Sequence, residues 1–337
     1  MKNNSIAGCL YGIAIGDALA APVEFLRDPE TIESHFARYG FGGGSGTLSV
    51  TDDTQMALAV GEALMAAPRP YTAGSVEPSL RRAFVAWMNS PENNRAPGMT
   101  CMSACRRLGE DLPWEQSTVV NSKGCGANMR VQPVGLLFGE TSETRAALAQ
   151  FQAAITHGHP TGLVASDLTA WTIHDLATGG DPSTLPARLI EYARSQRTKY
   201  HFDWLGDLWK GGGHLSATGF IITGWDECLH SLAQLQTAVE RGDRDSDPCD
   251  ATGEGWIAEE AFATGLLSFL LLVDDPVAAL RRASVTRGDS DSIACFTGAF
   301  LGAYHGIEAF PSEWRERVEY RDRLDTLAAF LTDAADR

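Results

Sequence analysis

"SVTRGDSDSIACFTGAFLGAYHG" runs from Ser284 to Gly306 and changes character halfway. Asp289 and Asp291 stand two apart, flanked by Ser290 and Ser292, and then the chain turns small and apolar through Ile293, Ala294, Phe296, Gly298, Ala299, Leu301 and Gly302. The small residues recur at helical spacing, which lets two helix backbones approach closely. The same punctuation appears near the start, in "GCLYGIAIGDALAAP" (Gly8–Pro22). A helix that is apolar all round is a buried one. Two carboxylates at the mouth of such a helix therefore demand a reason.

Working outward, helical periodicity dominates. "TDDTQMALAVGEALMAA" (Thr51–Ala67) puts Met56, Ala59, Val60, Ala63 and Leu64 on one face behind a Thr/Asp start. Similar patterns cover 77–88, 126–138, 143–156, 161–178, 184–196, 226–239, 256–272, 275–284, 292–305 and 312–334. Alternating β-branched runs and strand–helix alternation are nearly absent, so the fold predicted is all-α. No Pro/Ser linker divides the 337 residues, which predicts one domain over 1–337.

The balance of 43 Asp plus Glu against 27 Lys plus Arg gives a net charge of −16, which repels phosphate backbones and argues against nucleic acid as a partner. Seven cysteines without a C-x-x-C pair fit reduced, mostly buried thiols and a cytoplasmic location. "IAGC" (Ile6–Cys9) resembles a lipoprotein box, but only five residues precede it, and the run to Phe25 is interrupted by Asp17. Neither export nor a membrane span is expected.

Asp52 and Asp53 follow Thr51, and Asp289 and Asp291 precede Ser292. Capping and the helix dipole account for one acid at each helix start. The second at each start would carry uncompensated charge into the core. Brought together, the two pairs give four carboxylates and two hydroxyls, hard oxygen ligands that select Mg²⁺, Mn²⁺ or Ca²⁺. Two divalent ions would balance that charge. From Asp243, "DRDSDPCDATGE" has acids at EF-hand spacing, but Pro248 occupies the position that needs glycine, so it reads as a solvated acidic loop.

Six segments in order, "GCLYGIAIGDALAAPVEF", "TDDTQMAL", "NSKGCGANMRVQPVGLLF", "THGHPTGLVAS", "GEGWIAEEAFATGLLSF" and "RGDSDSIACFTGAFLGAYHG", resemble the ADP-ribosylglycohydrolase family, most weakly at 68–96 and 197–250. The resemblance implies a compact helical domain with a binuclear Mg²⁺ or Mn²⁺ centre at the bottom of an ADP-ribose cleft. It implies Thr51, Asp52, Asp53, Asp289, Asp291 and Ser292 as metal ligands. Glu24 matches a mobile glutamate that contacts metal or substrate. Ser122, Lys123, Gly124 and Gly126 match a loop that wraps the diphosphate, although Cys125 stands where the family often has Asn. His157 matches a histidine near phosphates and ribose, and "GEGW" with Trp256 lines the cleft.

The implied chemistry is hydrolysis of a glycosidic bond through an oxocarbenium-like state, with Glu24, Asp53 and Asp291 as the candidates to activate water and stabilise charge. The expected substrate is an ADP-ribosylated protein and the product ADP-ribose. "GDSDS" and the C-terminal "WRERVEYRDRLDTLAAF" resemble the arginine-directed branch, so arginine linkage is expected. Serine-, nucleobase- or small-molecule-linked ADP-ribose, or a non-catalytic ADP-ribose-binding or immunity protein of the same fold, remain the alternatives.

Overall fold

The computed structural model of the protein describes residues 4–335, so the outermost residues of the domain expected over 1–337 lie outside the described residues. Helix follows helix from Ser5 to Ala335, and among the described residues extended backbone pairs only in the bridges Leu48–Val318, Val119–His157 and Gly124–Ile257. The fold is all-α. One hydrophobic cluster threads it from Ile6 to Leu331.

The first helix, Ser5–Ala20, runs antiparallel to Ser290–His305 at the centre of the molecule. Gly8 faces Gly302, Gly12 faces Gly298 and Gly16 faces Ala294, so closely that a Cβ on any of these glycines would collide with the opposite backbone. The four-residue step keeps the small residues on one face of each helix. This stripe fixes the register. It brings Asp17 and Ala20, near the end of the first helix, beside the Ser290–Ala294 start of its partner. By length and composition Ser5–Val23 could cross a membrane, more so than the sequence reading allowed, but most of it is buried against its own chain.

Several elements depart from the periodic pattern. The stretch 126–138 forms only a 3-10 turn, Cys125–Ala127, and a four-residue helix, Gln132–Gly135. Pro133 lacks the N–H that a longer helix needs, and Gly135 packs against the carbonyl of Ala170. The expected helix 312–334 is two, Ser312–Arg317 and Arg321–Ala335. Between them Tyr320 has φ 58°, and Leu48 pairs with both Arg317 and Glu319 through backbone bonds of 2.9 and 3.1 Å. The pattern at 226–239 belongs to a longer helix, Ala217–Arg241, capped by Ser216. A further helix, Pro29–Tyr39, starts at Asp28, whose side chain accepts from Thr31 N. All seven cysteines are free and buried.

Candidate active site

The helix Asp52–Ala66 begins under an acid from elsewhere in the chain. Asp17 accepts Thr51 N at 2.9 and 3.0 Å and Thr54 N at 3.1 Å, and takes the Thr54 hydroxyl as well. Thr51 itself accepts Asp53 N at 3.4 Å. These bonds satisfy the Thr51, Asp53 and Thr54 N–H groups at the helix start without using the carboxylate of Asp53. Asp52 Oδ2 accepts Gly98 N at 3.1 Å, whereas Asp53 Oδ1 is buried with no partner.

At the other helix start, Asp289 occupies the cap position without a capping bond, and Asp291 accepts its neighbour Ser292 N at 2.9 Å. One carboxylate oxygen from each of Glu24, Asp289 and Asp291 falls within 4.8 Å of the others, the only such grouping of potential metal ligands among the described residues. Thr51, Asp52, Asp53, Asp289, Asp291 and Ser292 are all buried, while Glu24 is half-buried.

Burial, then repulsion from Asp291, Asp52 and Asp17, pushes Glu24 up to about 9, with Arg27 offsetting only part. Asp52 rises to about 8 chiefly through burial. Asp53 and Asp289 are driven well above the usual carboxylate range by burial and by Asp291. A buried set of acids that repel one another, with an orphaned Oδ1 among them, suits a hard divalent cation. The residues fit such an ion.

Beside this group lies the turn Ser122–Gly126. Cys125 N donates to Trp256 O at 3.1 Å and Ala258 N to Lys123 O at 2.9 Å, so the turn is pinned to the segment before Ala258. A Cβ on Gly124 or Gly126 would meet the His157 ring, which places the imidazole directly behind the turn. Arg130 Nη2 donates to Thr156 Oγ1 at 2.8 Å, and Thr156 Oγ1 lies 2.8 Å from His157 Nδ1. With Arg130 donating to Thr156 Oγ1, we assign the threonine hydroxyl as donor to Nδ1, the tautomer that leaves Nε2–H on the side of the glycines. Burial and then the Arg130 charge hold His157 well below the usual histidine range, so the ring stays neutral.

The model of the ADP-ribosylglycohydrolase family matches residues 2–337. The chain belongs to that family. It is similar to ADP-ribosylhydrolase ARH3 of Bos taurus, 26% identical, over 96% of this chain and 91% of the relative. It is also similar to an ADP-ribosylarginine hydrolase of Pseudomonas putida (strain GB-1), 23% identical, over 97% of this chain and 78% of the relative. A solved ADP-ribosylglycohydrolase-related protein complex shares the fold, with a TM-score of 0.66 and 98% of both chains covered at 23% identity. The protein is an ADP-ribosyl hydrolase.

In this ADP-ribosylglycohydrolase, Glu24 and both acidic helix starts converge, and Ser122, Gly124, Gly126 and His157 stand together beside them. Lys123 shares the Ser122–Gly126 turn and is paired with acids through its side chain. Its ammonium lies between Glu227 at 2.7 Å and Glu259 at 2.5 Å, turned toward those acids. Trp256 lies under the guanidinium of Arg27, 4.4 Å from the ring centroid, and Arg27 also donates to Arg287 O at 3.2 Å. The segment after Glu24 is thereby tied across to the 253–256 turn. Asp243 accepts Asp245 N, Ser246 N and the Ser246 hydroxyl in an exposed turn, as a solvated loop should.

Sequence reasoning passed over Asp17, whose signal was a lone acid inside an apolar helix. It also passed over Arg27, Thr156 and Arg130, which had no local signal.

Proposed function

We propose that this ADP-ribosylglycohydrolase holds two divalent cations, Mg²⁺ or Mn²⁺, with Thr51, Asp52, Asp53, Asp289, Asp291 and Ser292, and releases ADP-ribose from a modified protein side chain, arginine foremost. The observation that carries the reading is the unpartnered Asp53 Oδ1 buried among acids whose carboxylates converge with Glu24. Bound divalent ions supply Lewis acidity toward ribose hydroxyls and water. The protein supplies the rest. The neutral Nε2–H of His157 and the backbone of Ser122–Gly126 orient the diphosphate as an anion cradle. Lys123, closed off by Glu227 and Glu259, shapes that turn, and Trp256 walls the cleft.

As the bond from the anomeric carbon to the acceptor breaks, Asp53 and Asp291 oppose the positive charge that develops there. With divalent charge bound, Glu24 stays ionised against its acidic neighbours; half-exposed, it takes the proton from the attacking water, and a proton from solvent reaches the acceptor as it leaves. The net charge of −16 favours a guanidinium leaving group by steering, and "GDSDS" (288–292) agrees with that choice. Turnover of arginine-, serine- and base-linked ADP-ribose at matched concentration, with and without EDTA, tests it. Arginine-linked substrate should be preferred and EDTA should abolish activity. Preference for another linkage removes the arginine assignment, and full activity in EDTA removes the metals.

A further inference from the structure

A cavity of about 670 Å³ shares Glu24 and Thr51 with the carboxylate site but contains none of Ser122, Gly124, Gly126, His157 or Trp256. It opens instead along Phe25, His35, Phe36 and Tyr39. Phe25 is 62% exposed and Tyr39 57%, two of the few large apolar side chains that face solvent. His35 and Tyr39 lie with ring centroids 4.8 Å apart, and Phe36 packs edge-on against Phe41 at 5.1 Å, which rests on Trp314.

The opposite wall is backbone, the glycine-rich segment 40–46. Arg317 holds it by donating to the carbonyls of Gly42, Gly43 and Gly46 at 2.8, 3.1 and 2.7 Å. The two guanidinium groups in the lining are both closed by acids: Arg317 by Glu313 at 2.7 Å, and Arg95 by both oxygens of Glu319.

We propose that this cavity receives an apolar side chain flanking the modified residue of an ADP-ribosylated polypeptide, so that the enzyme reads the neighbourhood of the linkage as well as the linkage itself. The proposal rests on the reading above that the acceptor is a polypeptide and that ADP-ribose lies along Ser122–Gly126. The scissile bond must sit at the carboxylates. With ADP-ribose extending one way from them, the acceptor extends the other way, and that way is the aromatic cavity. Its volume suits a few side chains rather than a folded domain. Its chemistry favours a polypeptide over a nucleic acid, because both arginines of the lining are already neutralised and no guanidinium is left for a phosphodiester. Exposed aromatic rings lose water when an apolar side chain covers them, which is the favourable term.

The test compares kcat/KM for synthetic ADP-ribosylated peptides whose flanking residues are leucine or aspartate, made with arginine and with serine linkages, against the ADP-ribosylated amino acid alone. Burying one leucine side chain predicts roughly a tenfold advantage for the leucine-flanked peptide. Tyr39→Ser, at the exposed end of its helix, should erase most of that advantage while leaving hydrolysis of the ADP-ribosylated amino acid unchanged. Calorimetric binding of the same conjugates is measured alongside. Absence of turnover with flank-dependent binding would sink the hydrolase mechanism and leave this site standing. Flank-independent binding and turnover, or faster release from a base-linked oligonucleotide than from either peptide, overturns the proposal.

Discussion

Asp17 accepts the backbone N–H of Thr51 with both carboxylate oxygens, at 2.9 and 3.0 Å, and so one central helix caps the start of another. Asp17→Ala leaves the buried Thr51 and Thr54 amides unpaired, which costs about 1–3 kcal/mol for each lost partner. Divalent-ion affinity should fall with stability, because Asp52 and Asp53 follow directly. Thermal unfolding and metal titration of this variant check both; unchanged metal affinity would confine Asp17 to the scaffold.

Asp53→Asn and Asp291→Asn should lower Mg²⁺ or Mn²⁺ affinity and turnover together. Calorimetry with the metal alone reads the first without relying on activity. A variant that keeps full activity in limiting metal clears that residue of the ligand role.

The acids also set a pH dependence for the metal-free protein. Glu24, Asp52 and Asp17 have folded-state values raised to about 9, 8 and 7, chiefly by burial. Their unfolded values sit near 4. Groups raised in this way contribute stability that is present below the unfolded value and is lost as pH rises through the folded one. Melting temperature in EDTA should therefore decline from about pH 4 to about pH 9, and divalent metal should flatten the decline. A metal-free melting temperature that rises across this window would contradict the arrangement.

Glu24→Ala should reduce turnover far more than binding of ADP-ribose, since the side chain faces the carboxylates and not the Ser122–Gly126 turn. Equal losses in both would make it a binding residue.

Thr156→Val removes the hydroxyl between Arg130 and His157 and frees the imidazole to take the other tautomer. ADP-ribose affinity should drop roughly tenfold, the scale of one buried hydrogen bond. Nitrogen NMR of the histidines should show the proton on Nε2 in the wild type and its redistribution in the variant. Thr156→Ser should restore both. A wild-type spectrum with the proton on Nδ1 ends this account.

What the sequence disclosed was whatever depends on near neighbours along the chain. Glycines at 8, 12 and 16 and at 298 and 302 announce close helix packing, because the requirement for no side chain is met residue by residue. Doubled acids at two helix starts exceed what capping uses, and both doublets reach one place in the fold. Asp17 was invisible as a cap because its partners lie 34 and 37 positions away. The ion pairs of Lys123 were hidden for the same reason, since Glu227 and Glu259 are distant in sequence. At 126–138 the apolar pattern imitated a helix, but Pro133 and the tight fit of Gly135 against Ala170 prevent one.

The glycine stripe also bears on how the protein is made. The Ser5–Ala20 helix leaves the ribosome well before the surface that covers most of it, Ser290–His305. At 5–20 residues per second the wait is roughly 15–55 s. Through that interval a helix greasy enough to pass for a membrane anchor lacks its main partner, and the acids it will position lack the other half of their site. Nascent chains stalled before Ser290 should therefore bind chaperones through this segment and release it once Ser290–His305 emerges.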